Sequence, residues 1–172
     1  LPLDQPYNAS PFNYTGNEHV DIIPGTDIVD WVLIELRDTT EASLATSETA
    51  VAVKAAFLKN DGTIVDMDGI SQVQFTIPKT DSVYLAIRHR NHLGIMSAFS
   101  LLDNGSDVYS WDFTTGADKV FGGQAGYKEI STGVYGMVAG DANADGVINN
   151  TDKSNHWTPE AGYSDYNTAD IN

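Results

Sequence analysis

The run Ile28-Val29-Asp30-Trp31-Val32-Leu33-Ile34-Glu35-Leu36-Arg37 decides how this chain is read. Its apolar residues are nearly continuous, which is the pattern of a central strand covered on both faces rather than of a strand with one wet side. On its C-terminal side a Thr/Ser/Ala loop occupies 39–49, and 50–58 reads as the next strand. Asn60-Asp61-Gly62 is a tight-turn signal, because Asp-Gly tolerates the positive φ a hairpin needs, and 63–67 would return along 50–58. Val73, Phe75 and Ile77 alternate with polar neighbours, as do Val83, Leu85 and Ile87. The stretch 93–102 reads as one or two strands, Asn104-Gly105 as a turn, and Tyr109, Trp111 and Phe113 as a further alternating strand. Short strands parted by turns about every 8–12 residues predict an all-β fold, a β-sandwich or jelly roll, over 25–139.

Outside that block the character changes. Residues 1–24 are polar, rich in Pro, Asn and Tyr, and lack either periodicity, so they read as an extended N-terminal arm. The glycine-rich stretch 116–133 reads as irregular, 133–139 as a connecting strand, and 140–172 as an acidic tail with a short helix from Asp152 to about Trp157.

Charge narrows the partners. Nine basic residues stand against 24 acidic ones, a net −15 over 172 residues. That balance excludes nucleic acid, whose phosphates need Lys and Arg, and disfavours anionic membrane surfaces. Beyond Gly140 six acids face one base, Lys153, so the tail holds a third of the net charge and invites divalent cations. There is no cysteine, hence no disulfide staple and no thiolate metal site. No stretch approaches the roughly 20 apolar residues of a membrane span. The chain begins at Leu1 and ends at Asn172 in what reads as the start of a second acidic loop, so it is expected to be an excised piece of a longer secreted protein.

The tail carries the sharpest motif. Asp141-Ala142-Asn143-Ala144-Asp145-Gly146-Val147-Ile148-Asn149-Asn150-Thr151-Asp152 matches the spacing of an EF-hand calcium loop. Asp141, Asn143 and Asp145 would supply side-chain oxygens, Gly146 the sharp bend, and Val147 its carbonyl. Asn149 would bind directly or through water, Asp152 would close the sphere, and Ile148 would plug the loop into the core. An aspartate at the last position, where the common EF-hand has a longer glutamate, is the dockerin-style variant. Thr168-Ala169-Asp170-Ile171-Asn172 echoes the start of the loop, placing Asp170 and Asn172 at the first and third positions of a possible second one.

Four separated segments carry a resemblance. They are Leu1-Pro2-Leu3-Asp4-Gln5-Pro6-Tyr7-Asn8, Val29 to Arg37, Arg88-His89-Arg90-Asn91-His92-Leu93-Gly94-Ile95-Met96, and the tail from Asn149 to Trp157. Together they resemble a module of large secreted surface proteins of the Bacteroidetes group, cargo of the type IX secretion route. The resemblance implies an extracellular, cell-surface location more than an activity. In that family the acidic loop is usually doubled.

Glycans are further expected partners. Asn8, Asn13 and Asn104 head N-x-Ser/Thr sequons in loop-like surroundings, and Asn149 heads one that calcium ligation would leave unused. Thr39 and Ser82 follow aspartates in the pattern of the short O-glycosylation signal of the same bacterial group. An active site is harder to find. Arg88 to His92 could bind a carboxylated sugar or supply a general base, but strand phase puts His89 on the apolar face with Val83, Leu85 and Ile87, as a structural histidine. No nucleophile elbow is present. The expected function is therefore a non-enzymatic, calcium-stabilised structural or adhesive module, self-associating head to tail through the 1–24 arm. The alternatives are a carbohydrate-binding module using Tyr109, Trp111 and Phe113, or a dockerin-like docking module of a secreted enzyme.

Overall fold

The computed structural model describes residues 1–77, 82–103, 106–163 and 165–169. The decisive run forms β1 (Ile28–Asp38), the middle strand of a five-stranded antiparallel sheet. On one side it pairs with β2 (Ala50–Lys59), which pairs in turn with the short β3 (Ile64–Val65). On the other side lies β4 (Val83–His89), followed by β5 (His92–Met96), giving the order β3-β2-β1-β4-β5. A separate two-stranded sheet joins β6 (Tyr127–Ser131) to β7 (Val134–Met137). The Asn60-Asp61-Gly62 turn forms as expected: Gly62 takes φ 85°, donates its N–H to the Lys59 carbonyl at 3.0 Å, and lets the chain reverse into β3.

The near-continuous apolar character of β1 follows from cover on both faces. Trp31 and Leu33 face one way and pack with Ala55, Phe57 and Val65, the Trp31 and Phe57 rings lying 4.2 Å apart. Val32 and Ile34 face the other way and pack with Ala56, Ile87 and Ile95. The second of these faces is covered by Val120 and Tyr127, with Phe75, Phe113, Tyr135 and Met137 packed against the cluster. Much of that cover is irregular chain with the β6–β7 hairpin laid over it.

The first face is covered by the N-terminal segment, and here the sequence expectation is corrected. Residues 1–24 are not a free extended arm. Gln5 N–H donates to the Glu18 carbonyl at 3.1 Å and Val20 N–H to that of Leu3 at 3.0 Å, doubling the segment back on itself. Tyr7 is fully buried, its hydroxyl donating to the Trp31 carbonyl at 2.7 Å, while the Trp31 indole donates to the Pro2 carbonyl at 3.0 Å. A sheet face bearing Trp31, Leu33 and Phe57 must be shielded from water, and the ring side chains of the segment supply that shield.

Three smaller corrections concern strands. Residues 73–77 keep the predicted alternation, with 73, 75 and 77 half-buried, but form no ladder. Among the described residues Tyr109 makes an isolated bridge to Asp103, and Trp111 and Phe113 serve as half-buried cover rather than as a strand. The glycine-rich stretch holds β6, whose hairpin turn uses Gly133 at φ 73°. The predicted tail helix is present: Asp152–Trp157 winds as a π-helix and continues through Thr158–Glu160, together α1. Among the described residues no helix is long and apolar enough to cross a membrane.

Candidate metal centre

The 141–152 loop is anchored to the sheet before it begins. Leu93 N–H donates to the Val138 carbonyl at 2.9 Å and Gly140 N–H to that of Asn91 at 2.8 Å, so the tail leaves from the edge at β5. Within the loop each of the first three predicted ligands caps a backbone turn. Asp141 accepts the N–H groups of Asp145 (3.1 Å) and Gly146 (3.0 Å), Asn143 Oδ1 that of Asp145 (3.0 Å), and Asp145 Oδ1 that of Val147 (2.9 Å). Gly146 takes φ 86°, the bend for which a glycine is needed. Asp152 closes the circle: its Oδ1 accepts Ala142 (2.9 Å) and Asn143 (3.3 Å), and its Oδ2 accepts Asn149 (2.8 Å). First and last positions are thereby tied, with Asp141 and Asp152 both buried and Asp145 exposed.

The electrostatics of these two buried carboxylates differ. Burial pushes the Asp141 carboxyl above its ordinary value; the N–H groups of Gly146 and Asp145 oppose the rise, and the charges of Asp145 and Asp152 add to it. For Asp152 burial also acts upward, but the N–H groups of Asn149, Asn143 and Ala142 outweigh it and hold the carboxyl low. Of the other predicted ligands, the Val147 carbonyl accepts the Asn149 side-chain amide at 3.4 Å, and Asn149 Oδ1 accepts Thr151 N–H at 2.6 Å. Ile148 does not plug the core: it is 42 % exposed and lies against Gly140. Among the described residues no three His, Cys, Asp or Glu side chains gather closely enough to hold an ion alone. The motif's donor set is broader, since it also draws on the Asn143 amide and the Val147 carbonyl, and hard oxygens of this kind fit calcium. Asp170 and Asn172, the possible second loop, lie outside the described residues, as does the Asn104 sequon.

The remaining sequence candidates are scattered. Asn8 is exposed but donates its amide to the Tyr14 and Gly16 carbonyls, and Asn13 is exposed at φ 50°. Thr39 and Ser82 are half-buried neighbours, Thr39 N–H donating to the Ser82 carbonyl at 3.2 Å.

A polar cluster that the sequence only half revealed sits where β4 turns into β5. His89 is buried, with Nε2 3.0 Å from Asp30 Oδ2 and Nδ1 2.9 Å from Asn91 Oδ1. His92 Nδ1 lies 2.7 Å from the same Asn91 oxygen. Arg90 reaches Asp30 at 3.2 Å, stacks on the Tyr166 ring at 4.0 Å and donates to the Asn167 carbonyl. Tyr166 donates its hydroxyl to Asp30 Oδ1. Burial lowers the His92 imidazole to about 4, helped by the neighbouring His89 charge, so it is neutral at pH 7. The Arg88 to His92 run is visible as a motif; Asp30 is hidden inside an apolar strand, and Tyr166 lies in the tail beyond the acidic loop, where no motif marks it.

Comparison with protein-family models, with curated proteins and with solved structures yields no match to this chain.

Proposed function

We propose that this chain is a non-enzymatic structural module of an extracellular surface protein, of the Bacteroidetes type its motifs resemble, with a calcium ion stabilising its acidic tail. The observation that carries the reading is the closed 141–152 loop, in which two buried carboxylates, Asp141 and Asp152, sit in one turn beside Asp145. A dication there would offset the burial that raises Asp141 and the smaller push of the Asp145 and Asp152 charges, and the ligand positions match the calcium loop in register. The sandwich reading of the fold belongs to this proposal: the five-stranded sheet forms one layer, and the β6–β7 hairpin with its flanking irregular chain stands in for the second.

A structural role agrees with how the other candidates are used. His89 is buried with both ring nitrogens engaged, which suits a support better than a general base. Sugar stacking needs open ring faces, whereas Trp111 and Phe113 pack against the sheet and Trp111 donates its indole to the Lys119 carbonyl at 3.1 Å. Head-to-tail exchange of the N-terminal segment would have to break the Tyr7–Trp31 contacts, so association, if it forms part of the role, uses other surface. Phe99 and Phe121, 64 % and 48 % exposed, are candidates.

The test is a melting experiment on the purified chain in saturating calcium and in excess chelator. The reading expects a higher melting temperature with calcium and loss of that gain in Asp145→Ala. Identical melting in both conditions overturns it.

A further inference from the structure

We propose that His89, Asn91 and His92 form a second metal site, separate from the acidic loop, for a divalent first-row transition ion. Three lone-pair atoms meet there in a triangle: His89 Nδ1 and His92 Nδ1 are 3.0 Å apart, and Asn91 Oδ1 lies 2.9 and 2.7 Å from them. An ion at about 2.1 Å from each would see them at angles of roughly 80–95°, the facial half of an octahedron. Imidazole nitrogen with one amide oxygen is a donor set for nickel, cobalt or zinc rather than calcium.

Asp30 fixes the chemistry of the triangle. Its carboxylate stands 3.0 Å from His89 Nε2 and accepts a hydrogen bond from it, which leaves Nδ1 as the ring atom turned toward the triangle. An ion would displace the proton that His89 Nδ1 and Asn91 Oδ1 share at 2.9 Å and take its place between them. A carboxylate behind a ligating histidine is the usual outer partner of a metal-bound imidazole. Both imidazoles line a cleft of about 390 Å³, whose walls also include Arg88, Asp141 and Asp145, so the open coordination positions have a route to solvent. Asn91 is fully buried and is held through its carbonyl by Gly140 N–H, which keeps the triangle rigid.

The alternative is a hydrogen-bonded cluster in which protons alone fill the triangle. Cobalt(II) separates the two. The chain, free of any histidine tag and saturated with calcium, is titrated with cobalt(II), followed by isothermal calorimetry and by paramagnetic shifts of the imidazole protons. The site predicts one equivalent bound, with His89 and His92 signals shifted. His92→Gln, at a half-exposed position, should weaken binding at least tenfold while the circular dichroism spectrum is unchanged. Asp145→Ala should leave cobalt binding intact, which keeps this site distinct from the calcium reading. His19→Gln should also leave it intact, although His19 contacts Asp4 at 2.8 Å and could chelate at the surface. No binding, binding indifferent to His92→Gln, or binding lost in Asp145→Ala or His19→Gln overturns the proposal.

Discussion

Tyr166 donates its hydroxyl to the carboxylate of Asp30, 136 residues earlier in the chain, and so fastens the tail to the start of the central strand. Around this bond Arg90 lies over the Tyr166 ring and contacts Asp30, while Ala169 N–H donates to Glu160 at 2.8 Å. Tyr166→Phe removes one donor to a largely shielded carboxylate, 14 % exposed, and should cost about 1–3 kcal/mol, read by urea denaturation. Limited proteolysis should then cut after 160 sooner than in the wild type. Unchanged stability and cleavage would show that the tail is held by the loop alone.

The same carboxylate sets an acid limit. Burial acts to raise Asp30, but the hydrogen bond and charge of His89, the Tyr166 hydrogen bond and the Arg90 charge prevail and bring it down to about 2. A depressed carboxyl contributes stability that is fully present above its unfolded value near 4 and is lost as pH falls through the folded value. The contribution is on the order of 2 kcal/mol, so unfolding free energy should drop between pH 4 and pH 2. In Asp30→Asn that part of the acid slope should vanish. A variant with the wild-type slope would assign the acid sensitivity to other carboxylates.

Deleting residues 1–15 tests the N-terminal segment. Because Tyr7 is buried against Trp31 and Phe12 packs edge-on to Tyr7 at 4.9 Å, the deletion should strip one face of the sheet. A marginal domain is then expected, with Trp31 fluorescence shifted to the red and a midpoint in urea lowered or lost. Tyr7→Phe, which removes only the hydroxyl, should cost about 1 kcal/mol. A truncated chain as stable as the full one, but altered in association, would restore the exchanging arm.

These tests follow the line between what the sequence reveals and what it hides. β1 was legible because seven apolar residues leave it no wet face, and the 60–62 turn because Asp-Gly has few other uses. The loop was legible because its spacing encodes a turn at each ligand position. The cover of the Trp31 face was not, since Tyr7, Phe12 and Tyr14 are dispersed among Pro and Asn without a period, and packing of that kind is decided by tertiary contact. The strand expected at 73–77 does not form for a related reason: period-2 burial requires only an extended chain, while a strand needs a partner's ladder of hydrogen bonds. Glu35 shows the same limit, a charged residue in an apolar run whose partners lie on β1 and β4.

The acidic loop yields a contrast within a single motif. Asp152 accepts three backbone N–H groups and is buried, so Asp152→Ala should destabilise the tail even in chelator, by about 1–3 kcal/mol. Asp145 is exposed, and its loss should matter little without calcium and remove most of the gain with it. Hydrogen exchange at Ala142 and Asn149 in both conditions separates the two effects. Equal behaviour of the variants would mean that the loop is held by its turns alone.

Glu35 offers the largest predicted loss. Its side chain is 5 % exposed, takes two bonds from Arg37 at 2.9 and 2.5 Å, and faces Arg88 at 3.4 Å. Arg88 in turn lies 4.8 Å above the Phe12 ring, so the carboxylate links both arginines to the N-terminal cover. Removing a buried partner leaves the opposite charge uncompensated, and Glu35→Ala should cost about 3–5 kcal/mol in urea unfolding. Arg88, the more exposed arginine, can lose its charge more cheaply: Arg88→Met keeps the stem over Phe12 and should cost under about 1.5 kcal/mol. In the double variant the Arg88→Met cost should shrink, because the carboxylate that Arg88 faces is already gone. Strict additivity would show that Arg88 supports the sheet by packing and not through Glu35.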